Sequence, residues 1–228
     1  DASGTIGWQL IGDVPQRRGG MGTMPRPGWL PDAGWEDDPL PFDQLPHTVN
    51  PPEGFLVTAN NSPVREEGGP FLGVDWLDGY RAARILEVLG DGKGRDVGSA
   101  LALQMDTQSI PWREMRDTVL SVFPADGNGR AALELLGDWD GDLTLDSIAA
   151  SVFQLFLSRM YRRVGQAKAP RSWKWAFGNG DNLIQPHTLL VARRTGHLAR
   201  LLRDRPDGWF ADGWERTIED ALSEAMSA

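Results

Sequence analysis

Of the sixteen prolines in this 228-residue chain, eleven fall in the first 70 residues: Pro15, Pro25, Pro27, Pro31, Pro39, Pro41, Pro46, Pro51, Pro52, Pro63 and Pro70. Proline lacks a backbone N–H and clashes with the preceding turn of a helix, so this stretch cannot be helix-rich. Two short apolar runs survive in it as strand candidates, residues 5–11 (TIGWQLI) and 54–59 (GFLVTA). Between them, residues 19–46 read as a long irregular excursion carrying Trp29 and Trp35. Unstructured loops of that length are uncommon inside a compact domain and are usually functional or packed onto another surface.

Beyond residue 70 the pattern turns helical. Trp76, Tyr80, Ile85 and Leu89 share one face of a helix expected over 76–89, which the Gly90-Asp91-Gly92 run ends. Asp96 is placed to cap a second helix through Met105, with Val97, Leu101 and Met105 four apart on its apolar face. Pro111 suits the first turn of a third helix reaching Val122, and a short fourth starts at Asn128 or Gly129 and runs to Leu136. Asp146 is expected to cap the longest helix, with Ile148, Val152, Leu155, Phe156 and Met160 in one stripe and Arg162-Arg163 near its negative end. Residues 189–202 and 217–226 complete the set. The fold class is therefore α+β: short β segments and long loops over 1–70, a helical subdomain over 71–228.

Composition excludes several functions. A net charge of −9 and a pI near 4.8 argue against nucleic-acid binding through a basic face. No apolar run approaches the ~20 residues of a spanning helix, so no membrane partner is expected. The chain has no cysteine, which removes disulfides, thiol catalysis and Cys-ligated zinc. His47, His187 and His197 are too scattered for a metal-binding pair and read as surface or packing residues. Asp138-Trp139-Asp140-Gly141-Asp142 resembles a calcium loop only superficially. Its glycine is fourth rather than sixth and Ala149 stands where the twelfth-position glutamate belongs, so it reads as a turn. Gly178-Asn179-Gly180-Asp181-Asn182 has turn chemistry too.

The remaining signal lies in VTANNSP at 57–63, followed by FLGVDW at 71–76 and GYRAARI at 79–85. With GWQ at 7–9, GDVPQR at 12–17, the Leu45-Pro46, Asn50-Pro51 and Gly54 passage, and Gln104-Met105-Asp106 with Ser109, these motifs stand in the order found in the penicillin acylase (penicillin amidase) family. The chain resembles an interior part of that family's large subunit, most strongly over 5–110.

The resemblance implies an N-terminal-nucleophile hydrolase with an αββα sandwich, in which a serine freed by self-cleavage attacks an amide through an acyl-enzyme. That serine is expected upstream of Asp1, so the chain alone is expected to be inert. Its partners are expected to be the rest of the same enzyme, the small subunit included, and a small N-acyl substrate. The resemblance assigns Asn60 to the oxyanion hole and Arg81 to positioning it. An asparagine amide is a neutral two-proton donor suited to charge developing on a tetrahedral oxygen. No cofactor is expected. Family members often hold a structural calcium, but the carboxylate expected ahead of the GYRA helix is replaced here by Pro70 or Phe71. A periplasmic or secreted location is implied by the resemblance alone. The alternative from another class is a non-catalytic helical interaction module, against which the Pro- and Trp-rich segment speaks.

Overall fold

A computed structural model describes residues 1–64, 69–92, 96–176 and 193–227. The chain divides into two compact units, Asp1–Gly94 and Arg95–Ala228. The compositional change near residue 70 falls inside the first.

The first unit holds two separate antiparallel ribbons. Strand β1 (Gly7–Gln9) pairs with β4 (His47–Val49), placing Trp8 opposite Thr48. Asn50, in the left-handed region at φ 45°, closes this ribbon by accepting the Ile6 N–H on its side-chain oxygen at 3.0 Å. Strand β2 (Pro15–Arg17) pairs with β3 (Trp35–Pro39), with Pro15 opposite Pro39, Arg17 opposite Trp35, and a register irregularity between them. The two prolines terminate the strands, where the missing N–H breaks no interior ladder bond.

Residues 19–46 are thus less irregular than their composition suggests. They contain β3 and a single 3-10 turn, Phe42–Gln44. The acidic strand WEDDP carries no alternation of apolar and polar residues, which is why periodicity misses it. Conversely, residues 54–59 form no ladder among the described residues. They are irregular and bury Val57 and Ala59 against Ala82, Phe55, Ile85 and Leu89. Helix α1 (Tyr80–Leu89) supplies the last members of that small core, starting four residues later than its sequence face suggests.

The second unit is a helical layer of α2 (Val97–Gln104), α3 (Ile110–Leu120), α4 (Gly127–Gly137), α5 (Ile148–Lys168), α6 (Trp173–Ala176), α7 (Arg194–Asp204) and α8 (Gly213–Ala225). Helix α5, at 21 residues about 30 Å long, is its axis and packs against α4, α6, α7 and α8, while α3 packs on α7. Trp112, Trp139 and Phe153 form an aromatic triangle with centroids 5.2–5.5 Å apart. The Trp112 indole N–H is satisfied by the Trp139 carbonyl at 3.3 Å.

Side-chain caps set the helix starts. Asp96 and Ser99 form a reciprocal capping box, Ser109 accepts from Trp112 N, and Asp126 accepts from Gly129 N. The cap of α5 is Ser147, not Asp146, one residue nearer the helix. Arg162 and Arg163 lie inside α5, which continues to Lys168. Helix α2 forms as expected, but its apolar stripe is not buried: Val97, Leu101 and Met105 are 87%, 59% and 72% exposed. The Asp138–Asp142 stretch is a turn in which Asp142 N donates to Asp140 Oδ1 and Gly141 takes φ 87° against Trp112. His187 and the turn at 178–182 lie outside the described residues, as do the first residues of the helix expected from 189.

Two carboxylates fasten the ends of these helices. Asp126 caps α4 and also accepts from the Ser223 hydroxyl of α8 at 2.8 Å, and these bonds hold its carboxyl below the usual range. Glu224 receives Arg163 at 2.7 and 3.2 Å and is likewise lowered. A folded pKa below the unfolded one stabilises the fold at pH above the unfolded value, about 4, and that stability is lost as pH falls through the folded pKa. Denaturant unfolding followed by circular dichroism should be nearly flat from pH 7 to 5 and weaken below ~4. The Asp126→Asn, Glu224→Gln double variant should weaken less over the acid limb.

Candidate functional site

The apolar segment from Phe55 ends at Ala59, whose side chain is buried, and delivers Asn60 to the surface. Asn60 adopts φ 60°, a left-handed conformation that asparagine tolerates better than most residues. Its carbonyl accepts the Leu77 N–H at 3.0 Å. From the first turn of α1, Arg81 turns back over this end. Its Nη2 donates to the Ala59 carbonyl at 2.8 Å and to Asn60 Oδ1 at 2.9 Å.

That pair of bonds decides which way the Asn60 carboxamide faces. A guanidinium can only donate, so the atom it meets is the amide oxygen, and Nδ2 is the group directed away. Among the described residues no acceptor is bonded to Nδ2. The arrangement is a neutral N–H donor on a constrained backbone, with its orientation fixed by a cation. Such a group can stabilise an oxyanion placed within hydrogen-bond reach. The structure therefore brings Asn60 and Arg81 into direct contact, 21 residues apart in sequence.

Asn61 has a different task. Its Oδ1 accepts the Ala59 N–H at 3.1 Å and its Nδ2 donates to the Ser62 carbonyl at 3.1 Å. The Asn61 side chain turns back onto residue 59 because the backbone enters the left-handed region at Asn60. The Asn-Asn-Ser-Pro composition signals the turn; which asparagine builds it is settled only by the fold. Two contacts had no sequence signal: the Leu77 N–H on Asn60, and the Trp76 indole N–H on the Gly73 carbonyl at 3.1 Å. Arg84, one turn along α1, pairs with Glu87 at 3.2 Å.

The calcium that the resemblance suggests needs six to eight oxygen ligands. Among the described residues no three of Asp, Glu and His converge, and Pro70 and Phe71 offer no carboxylate. These residues do not by themselves fit the ion. His47 bonds the Leu45 carbonyl through Nδ1, and His197 contacts Arg200.

With this geometry in place, the likeness to known proteins is specific. The penicillin amidase family model matches residues 1–228. Penicillin acylase 2 proenzyme of Pseudomonas sp. (strain SE83) is 30% identical over 100% of this chain and 29% of its own length. Acyl-homoserine lactone acylase QuiP of Pseudomonas fluorescens (strain Pf0-1) is 31% identical over 79% of this chain and 24% of its own. The solved thermostable penicillin G acylase from Alcaligenes faecalis superposes with a TM-score of 0.67 at 24% identity, covering 99% of this chain and 44% of that one. The α+β fold is thus shared with part of that penicillin G acylase. This chain spans under a third of the length of these curated relatives.

Asn61→Ala should leave the Ala59 N–H without its acceptor and destabilise the first unit by ~1–3 kcal/mol. Asn61→Asp, which keeps the acceptor oxygen, should cost less. Paired urea denaturation curves check the order.

Proposed function

The chain belongs to the penicillin amidase family, and from that premise we propose that it supplies the oxyanion donor of an amidohydrolase. In this reading the complete enzyme cleaves a linear amide of an N-acyl compound. A serine outside this chain attacks the carbonyl carbon and forms an acyl-enzyme, and water releases the free acid. The carbonyl oxygen takes up negative charge as the tetrahedral centre forms. Asn60 Nδ2 donates to that oxygen, and Arg81 is the positioning residue that keeps the carboxamide from turning over.

The observation that carries this reading is the Arg81 bond to Asn60 Oδ1. An amide free to rotate must be reoriented as the charge develops, and that reorganisation subtracts from the stabilisation. A donor fixed beforehand needs no reorganisation when charge appears. The curated relatives named above support an amide-cleaving chemistry, and their names cover both penicillin and acyl-homoserine lactone acylases.

In the processed enzyme, Asn60→Ala should lower kcat by ~100-fold or more with KM little changed, since the donor acts on charge present mainly in the transition state. Asn60→Gly should fall equally; glycine accepts the left-handed backbone, so its loss cannot be ascribed to strain. Mass spectrometry must first show that both variants mature. Activity within a few-fold of the parent in either matured variant would remove Asn60 from the oxyanion role.

A further inference from the structure

Arg17 is held in an unusual way on the β2–β3 ribbon. Its guanidinium carbon stands 4.1 Å from the centroid of the Trp35 ring, the residue opposite it in the ladder. Gly22, at φ 76°, closes on the same group. A Cβ built there would lie 2.7–2.8 Å from Nε, Cζ and Nη2 alike, over the flat of the guanidinium rather than at its edge. Only a glycine lets the loop come this near.

The polar edge is treated differently. Arg18 pairs with Asp37 at 3.2 Å and Arg26 with Asp32 at 2.5 Å. Among the described residues no acceptor bonds the Arg17 side chain. A guanidinium packed through its plane with its N–H fork left open is arranged to receive a planar anion in two parallel bonds.

Apolar side chains wall one cleft beside the guanidinium. Arg17 opens on a cleft of about 280 Å³ whose walls include Met21, Trp35, Phe71, Val74 and Trp76. Met21, Trp35 and Phe71 are 59%, 46% and 50% exposed, so large apolar groups that would otherwise scatter over the surface gather round one cation. The Trp76 indole N–H is bound to Gly73, which sets its ring as wall rather than donor. Asp75 also lines the cleft and has an interaction partner of its own. The volume suits a single ring or a short alkyl chain.

We propose that this cleft binds a small carboxylate with an apolar tail, an aryl- or alkyl-carboxylic acid. Arg17 takes the carboxylate, and Trp35, Phe71 and Trp76 take the tail. The site does not depend on the role given to Asn60.

Sodium phenylacetate is the probe, titrated into the purified chain at constant ionic strength. Binding is read by calorimetry and by the Arg17 Nε–Hε resonance, assigned by its loss in Arg17→Lys. Saturable binding with a shift of that resonance is expected. Acetate, which lacks the tail, and phenylacetamide, which lacks the charge, should each bind ~10-fold more weakly or worse. Arg17→Lys keeps the charge without the fork and should lose a similar factor, as should Gly22→Ala, which displaces the guanidinium. The proposal is overturned by any of three results: no saturation up to ~10 mM, acetate binding as tightly as phenylacetate, or phenylacetamide doing so. These comparisons use the parent chain, so they decide the matter even where a variant fails to fold.

Discussion

Arg81 reaches from the first turn of α1 to the end of an apolar segment and takes two acceptors there, the Ala59 carbonyl and the Asn60 side-chain oxygen. Everything particular about the candidate site follows from that reach. The backbone at Asn60 is left-handed, a conformation worth holding only if something holds it. The Leu77 N–H fixes the Asn60 carbonyl, the Asn61 side chain fixes the Ala59 N–H, and the guanidinium fixes the carboxamide. Beneath them Val57, Ala59 and Ala82 close a small apolar core that keeps the end of that segment and the helix start together. Small residues at two of those three positions let the two backbones come close enough for the arginine to span them.

The second unit is stabilised by different means. Its core is an aromatic and aliphatic filling around α5, with Trp112, Phe153, Phe156 and Met160 almost wholly out of water. Burial of that kind contributes about 25 cal/mol per Å² of apolar surface and does not distinguish one helical topology from another. The polar caps and the two fastening carboxylates, Asp126 and Glu224, add that distinction by tying α4 and α5 to named positions on α8. The exposed stripe of α2 stands apart from this core.

Much of this was legible in the sequence, and the failures have physical causes. Helices α3, α4, α5 and α8 announced themselves because a 3.6-residue period of large apolar side chains admits few other readings. Cap positions slipped by a residue where two candidates adjoin, as at Asp146 and Ser147, because either side chain can accept the same N–H. The strand β3 was hidden: a two-stranded ribbon with both faces exposed needs no apolar alternation. Residues 54–59 erred the other way, since an apolar run reports burial and burial does not require a ladder. The contact of Asn60 with Arg81 joins a turn to a helix 21 residues on. No local rule of spacing contains it, and only the family's motif order suggested the two residues together.

The central claim is that Arg81 acts through Asn60. A double-mutant cycle on kcat in the matured enzyme isolates that coupling, using Asn60→Ala and Arg81→Met. If the guanidinium serves only to orient the carboxamide, Arg81→Met lowers kcat in the parent and has no further effect once Asn60 is alanine. The double variant then matches Asn60→Ala within about a factor of two. Multiplicative losses, with the double variant slower than Asn60→Ala by the full factor of Arg81→Met alone, would contradict the account and give the arginine a role of its own.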